Sequence, residues 1–201
     1  MGSIKKKSAL LGGRAWAYVG LYMSIYRLSL IPVFAALTAA GAFVRMPLFP
    51  VPFTLQNLFA VMAGMALGPR AGSMSQAVYL AMGLMGLPVF SGGGGPGYVV
   101  SPTFGYLLGF LAAPAVSGLL MGNRAFTPVN AAVASAAGML AIYLVGVPYL
   151  ACYLAFVLDK PGAFMIALET GFAVFLPGDA LKCLLLAMVM PGLAPALKKP
   201  R

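Results

Sequence analysis

The sequence predicts an all-α integral membrane protein whose chain crosses the bilayer as six transmembrane helices. Of 201 residues, 62% are hydrophobic and 8% charged, and the mean hydropathy of +0.97 lies far above that of water-soluble domains. Charge is also absent over long stretches. Arg70 and Arg124 are separated by 53 residues, Arg124 and Asp159 by 34, whereas a helical span needs about 20. There is no histidine, which removes imidazole metal sites, haem ligation and Ser-His-Asp or Cys-His catalysis. No cofactor and no metal centre is expected. The formal charge of +10 comes from basic residues that punctuate apolar runs rather than form an aromatic-interleaved patch, so the lipid bilayer and not nucleic acid is the expected partner. Cys152 and Cys183 sit in apolar stretches without a CxxC and read as membrane core.

Residues 1–27 form a lead-in. Lys5, Lys6 and Lys7 precede a twelve-residue apolar piece between Arg14 and Arg27, and its Trp16, Tyr18, Tyr22 and Tyr26 favour the headgroup level. A single six-helix domain is expected over 28–197, with a basic tail at 198–201. The first span is Leu28 to Val44, seventeen uncharged residues. The loop Met46-Pro47-Leu48-Phe49-Pro50-Val51-Pro52 follows, because each proline removes a backbone donor and restricts its predecessor. The second span runs from about Thr54 to Leu67 and stops at Gly68-Pro69-Arg70; the third covers about Ala71 to Leu87. Pro88 and the run Gly92-Gly93-Gly94-Gly95-Pro96-Gly97 end it. The fourth spans about Pro102 to Met121, and the fifth about Val129 to Val147, stopping before Pro148. Tyr149 to Phe175 reads as one or two short helices near a surface or re-entering. The sixth runs from Pro177 to about Leu197.

Six spans put both termini on one side. Lys5, Lys6, Lys7, Arg14, Arg27, Arg70, Arg124, Lys198, Lys199 and Arg201 then share that side, only Arg45 and Lys160 fall opposite, and Lys182 lies within the sixth span. The positive-inside rule makes the terminal side cytoplasmic, and the cytoplasmic membrane is the expected location. The proline loop, the glycine loop and the Asp159 region all face outward.

Asp179 and Lys182 are the foremost candidate site residues. A charge at a span centre costs about 2.5–3.5 kcal/mol on translocon scales. Spacing i,i+3 puts both on one helix face, with Pro177 suited to the first helical position and Asp179 gaining from the helix dipole. Together they offer an acceptor beside a donor, matching a urea or amide edge; the alternative is an ion pair that only orients the helix. The glycine run is not a phosphate-binding loop, since no Gly-Lys-Ser/Thr follows, and it reads either as a flexible outer turn or as a hinged lid. Gln56, Asn57, Ser73, Ser75 and Gln76 are polar residues within spans that either bond neighbouring helices, expected for most of them, or line a cavity. Ala35/Ala39 and Ala36/Ala40, four apart on the first span, permit close helix approach for internal packing or for a partner.

Four segments, VPFTLQ (Val51 to Gln56), LGPRAGSMSQAVYLAMGLMGLPVF (Leu67 to Phe90), SPTFGYLLGF (Ser101 to Phe110) after the glycine stretch, and PGDALK (Pro177 to Lys182), occur in order. Together they resemble the BioY family, the biotin-binding S subunits of energy-coupling-factor (ECF) transporters. The resemblance implies an ECF S-component-like bundle whose site opens outward beneath the loop between the first two helices, with Asp179 and Lys182 at the biotin site. Where some members carry an Asn shortly after the PVF motif, this chain has Ser91 and Gly92. The resemblance further implies high-affinity biotin capture, a transmembrane T subunit contacting Ala35, Ala36, Ala39 and Ala40, and two ATP-binding-cassette ATPases, since this chain has no Walker motif.

On that reading Asp179 accepts from a ureido N–H and Lys182 donates to the ureido oxygen. Phe53, Tyr79 and Phe90 form apolar walls, Gln56 and Ser91 add polar contacts, and Arg45 or loop amides meet the carboxylate. The opposite polarity, Lys182 on the carboxylate, is the other pose. The rival classes are an intramembrane enzyme using the Asp179/Lys182 pair, for which no serine pairs with the lysine, and a passive channel, which needs polar rings along a path.

Overall fold

The computed structural model describes residues 28–48, 50–122 and 124–197. The lead-in at 1–27 and the tail at 198–201 lie outside the described residues. Seven α-helices are described: α1 Leu28–Phe43, α2 Gln56–Leu67, α3 Pro69–Leu84, α4 Phe104–Met121, α5 Pro128–Phe156, α6 Ala163–Gly171 and α7 Leu176–Leu197. The proline loop after α1 closes into a ribbon of β1 Arg45–Met46 and β2 Phe53–Thr54, antiparallel with Arg45 opposite Thr54 and Met46 opposite Phe53. Two-residue strands leave no alternation to detect in a sequence. By length and composition three segments can cross a membrane: α4, α5, and the α6–α7 stretch Ala163–Leu193. Helices α1 and α2 are apolar but shorter.

Helix α3 starts two residues earlier than its apolar pattern suggests. Gly68 turns the chain at φ +87° after α2, a conformation that costs glycine little. Pro69 then takes the first helical position, where its missing N–H is no loss. The expected stop before Pro148 is corrected: α5 continues through it to Phe156, so the first part of the Tyr149–Phe175 stretch is helix α5, and the separate short helices are α6 and one 3-10 turn at Ala173–Phe175. Proline removes one i→i−4 bond, but packing on both sides of it holds the helix. Val147, Leu150 and Leu154 are buried, and α4 covers this face through two sites without a Cβ. A Cβ on Gly105 would lie 2.2 Å from Tyr149 Cβ, and one on Gly146 would lie 2.5 Å from the Tyr106 ring.

The same device sets α2 against α4. A Cβ on Gly64 would fall 2.3 Å from Pro114 O and 2.3 Å from Ser117 Oγ, and Ser117 Oγ donates to Val61 O at 3.0 Å. In hydrocarbon, helices associate through such close packing and interhelical hydrogen bonds rather than through exclusion of water. Helix α7 shows the result clearly: Asp179, Lys182, Leu186 and Met190 face inward at 5% exposure or less, while Leu181, Leu184, Met188 and Val189 point out. Three or four residues separate each inward position from the next, the period of one helix face.

The irregular segments gather at one end. The α1–α2 loop, the α3–α4 loop and Tyr153 near the end of α5 surround a common outer space. The α2–α3 turn meets the C-terminal part of α4 at the other end, where Gly118 approaches Pro69. The glycine run is tied down. Phe90 and Gly93 exchange backbone bonds at 2.9 and 3.1 Å, and Gly95 N donates to Gly83 O at 2.7 Å.

Replacing Gly64 by Ala forces a Cβ into backbone and is expected to cost about 1–3 kcal/mol. Gly192→Ala, on an exposed and open stretch of α7, is expected to be neutral or stabilising. Thermal unfolding midpoints of the two variants in detergent check the contrast.

Candidate functional site

At its N-terminal end α7 places Asp179 and Lys182 three residues apart on its inward face, and their side chains meet at 2.8 Å. Neither ion relies on the other alone. Asp179 Oδ1 also accepts from Asn57 Nδ2 at 3.0 Å, and Oδ2 accepts from the Tyr143 hydroxyl. Lys182 Nζ donates to Asp179 Oδ1 and to Asn57 Oδ1, both at 2.8 Å, and lies 3.8 Å from the centroid of the Phe53 ring, a cation–π contact. Phe53 reaches that position because Gly178 has no side chain: a Cβ there would stand 2.4 Å from the ring. Helices α2, α5, α7 and strand β2 therefore converge on one charge pair.

Beside the pair lies a cavity walled mainly by apolar side chains with a few polar groups, the make-up of small-molecule sites. Its lining includes Phe53, Leu107, Phe110, Ile142 and Phe175 as apolar wall, and Asn57, Tyr143 and Lys182 as polar floor. Phe53 and Phe175 stack with ring centroids 6.1 Å apart. Pro52, Ser91 and Thr103 line both this cavity and the outer space that holds Arg45, so these three residues form the neck between them.

Of the residues singled out in the sequence, Phe53, Gln56, Ser91 and Lys182 line the cavity, and Arg45 lines the outer space. Asp179 stands behind Lys182, Asn57 and Tyr143. Tyr79 and Phe90 are not wall residues; they buttress the wall from behind, edge to face at 5.5 Å, with Phe90 seated on Gly83. Tyr79 instead carries a buried hydrogen-bonded chain. Thr54 Oγ1 donates to Gln56 Oε1 at 3.1 Å, Gln56 Nε2 donates to the Tyr79 hydroxyl, and that hydroxyl donates to Val89 O at 3.1 Å. Both loops over the cavity are thereby fastened through α2 and α3. On α1, Ala35 is fully buried and Ala39 half-buried against the chain's own core, leaving Ala36 and Ala40 on the outer face.

Sequence reasoning missed Tyr143, Thr103, Tyr106, Phe110 and Phe175. A tyrosine inside the long apolar run of α5 carries no spacing signal. Asn57 was visible as a polar residue in a span, but its contact with residues more than 120 positions away was not.

An apolar-walled cavity with a charge-neutral polar floor, set among apolar helices and open through loops at one end, defines a membrane-embedded small-molecule-binding protein. The BioY family model matches residues 14–199. A "Probable biotin transporter BioY" of Lysinibacillus sphaericus is 44% identical over 169 residues, covering 83% of this chain and 85% of that one. The biotin transporter BioY of Thermotoga maritima is 36% identical, covering 78% and 89%. The crystal structure of the S-component for biotin from an ECF-type ABC transporter superposes with a TM-score of 0.71 at 27% identity, covering 86% of this chain and 92% of the other. The chain belongs to the BioY family.

Removing one member of a buried ion pair leaves the other uncompensated, which costs about 3–5 kcal/mol, whereas replacing both with apolar residues costs much less. Lys182→Met alone is thus expected to lower the thermal midpoint of the ligand-free protein in detergent further than Asp179→Leu combined with Lys182→Met.

Proposed function

We propose that the protein captures biotin in this cavity and acts as the substrate-specific subunit of an ECF-type uptake system. The observation that carries the reading is the buried, charge-neutral Asp179–Lys182 pair at the floor of an apolar cavity. The names of its relatives, biotin transporters and an S-component for biotin, supply the ligand. BioY proteins are transport components, not enzymes.

The electrostatics favour one pose. The pair is already neutral, so a carboxylate at the floor would bring an unbalanced charge into a low-dielectric site, which is costly. A ureido group is neutral and polar. Lys182 donates to its oxygen. The Tyr143 hydroxyl sends its hydrogen to Asp179 and so offers its oxygen lone pairs to a ureido N–H. This changes the part expected of Asp179: with three donors already on its oxygens, it balances the ammonium and orients Tyr143 instead of meeting the ligand directly. The thiolane ring and alkyl tail run between Phe53, Phe110 and Phe175. The carboxylate passes the neck at Ser91 and Thr103 and meets Arg45 in the outer space.

In the proposed topology α1, α2, α3, α4, α5 and α7 are the six spans, α6 lies at the outer surface, and both termini are cytoplasmic in the cytoplasmic membrane. Arg70 and Arg124 then fall inside and Arg45 outside, as the positive-inside rule requires. The exposed face of α1 with Ala36 and Ala40 is the surface assigned to a transmembrane T subunit, and two ATP-binding-cassette ATPases supply the energy that a chain without a Walker motif lacks.

Calorimetric titration of the purified protein with biotin is expected to show saturable binding. Asp179→Asn and Lys182→Gln each weaken it by about tenfold or more, the worth of a charge-assisted hydrogen bond; wild-type affinity in both variants refutes the site. Arg45→Ala is expected to weaken biotin but leave biotin methyl ester unaffected, and equal losses for the two ligands refute the pose.

A further inference from the structure

The side chain of Asn57 does more than bond two helices. It sits in the first turn of α2, where its Oδ1 accepts from Leu58 N at 3.1 Å and from Lys182 Nζ at 2.8 Å. Its Nδ2 donates one hydrogen to Asp179 Oδ1 at 3.0 Å. With two donors on the oxygen and a carboxylate facing the nitrogen, the amide has one orientation that satisfies the network. An NH₂ group carries two hydrogens, and Nδ2 makes no second hydrogen bond among the described residues. Asn57 itself lines the cavity next to Lys182. The α2 backbone is held in place independently of this amide, because Gln56 bonds Tyr79 on α3 and Gly64 packs against α4.

Resting on the biotin reading above, we propose that Asn57 is a specificity-determining residue. It fixes the direction of the Lys182 ammonium and gives its own free amide hydrogen to the ureido oxygen, so that the ligand oxygen is held by two donors from two helices. A carbonyl oxygen has two lone pairs and accepts two such bonds. The preference this creates is for a neutral, strongly accepting oxygen on the ring carbon between the two nitrogens. Sulfur at that position is a weaker acceptor, and a protonated guanidine has no acceptor there and adds a positive charge beside Lys182.

Three ligands read this out on the full-length protein in detergent: biotin, 2-thiobiotin and 2-iminobiotin. Asn57→Leu is expected to weaken biotin by about tenfold to a hundredfold and to lower the biotin-to-2-thiobiotin affinity ratio, Lys182 remaining as the other donor. Asn57→Asp, of the same shape with an added negative charge, is expected to weaken biotin while lowering the biotin-to-iminobiotin affinity ratio. A packing defect does not produce that shift. If Asn57→Leu does not fold, the ratio in Asn57→Asp decides. Ratios unchanged from wild type in the folded variants, with Asp179→Asn and Lys182→Gln still impaired, overturn the assignment to Asn57 and leave the biotin site standing. Failure of the wild-type protein to bind biotin overturns both.

Discussion

A lysine and an aspartate buried at 3% and 5% exposure constrain everything around them. In surroundings of low polarity an ion survives only with its charge balanced and its remaining hydrogen-bonding capacity met. Here that requirement is shared among Asn57 from α2, Tyr143 from α5 and the ring of Phe53 from β2. Elements far apart in the chain must therefore arrive at one point. The cavity lies where they arrive, so the network that neutralises the charges also shapes the polar floor.

Close helix approach makes that convergence possible. Gly64 against Pro114, Gly105 against Tyr149 and Gly146 against Tyr106 bring backbones nearer than any side chain would allow. The polar groups needed for interhelical bonds then fall within reach. The loops above the cavity are fastened in the same manner, through a chain of hydroxyl and amide groups from Thr54 to Val89. A proline-rich ribbon and a glycine-rich turn are thus held as defined walls over the site.

Charge is distributed unevenly along the path into the molecule. The outer space contains Arg45 and the floor contains a neutral pair, with a neck of Pro52, Ser91 and Thr103 between. The proposed pose follows this gradient, because an anionic end at the rim keeps its counter-charge and its contact with water.

The amino-acid sequence by itself determined the apolar, multi-pass character of the chain, the approximate extent of α1 to α4 and α7, the grouping of the loops at one end, and the prominence of Asp179 and Lys182. These follow from hydropathy, from proline and glycine at element ends, and from the cost of a charge among apolar residues, all local properties. Only the tertiary structure decided that α5 passes through Pro148, since the compensation comes from Gly105 and Tyr106 on another helix. It alone turned Ala35 inward, and moved Tyr79 and Phe90 behind the wall while bringing Tyr143 and Asn57 to the floor. Which residues share a cavity depends on helix rotation and on contacts between residues more than 120 positions apart, and no local pattern encodes either.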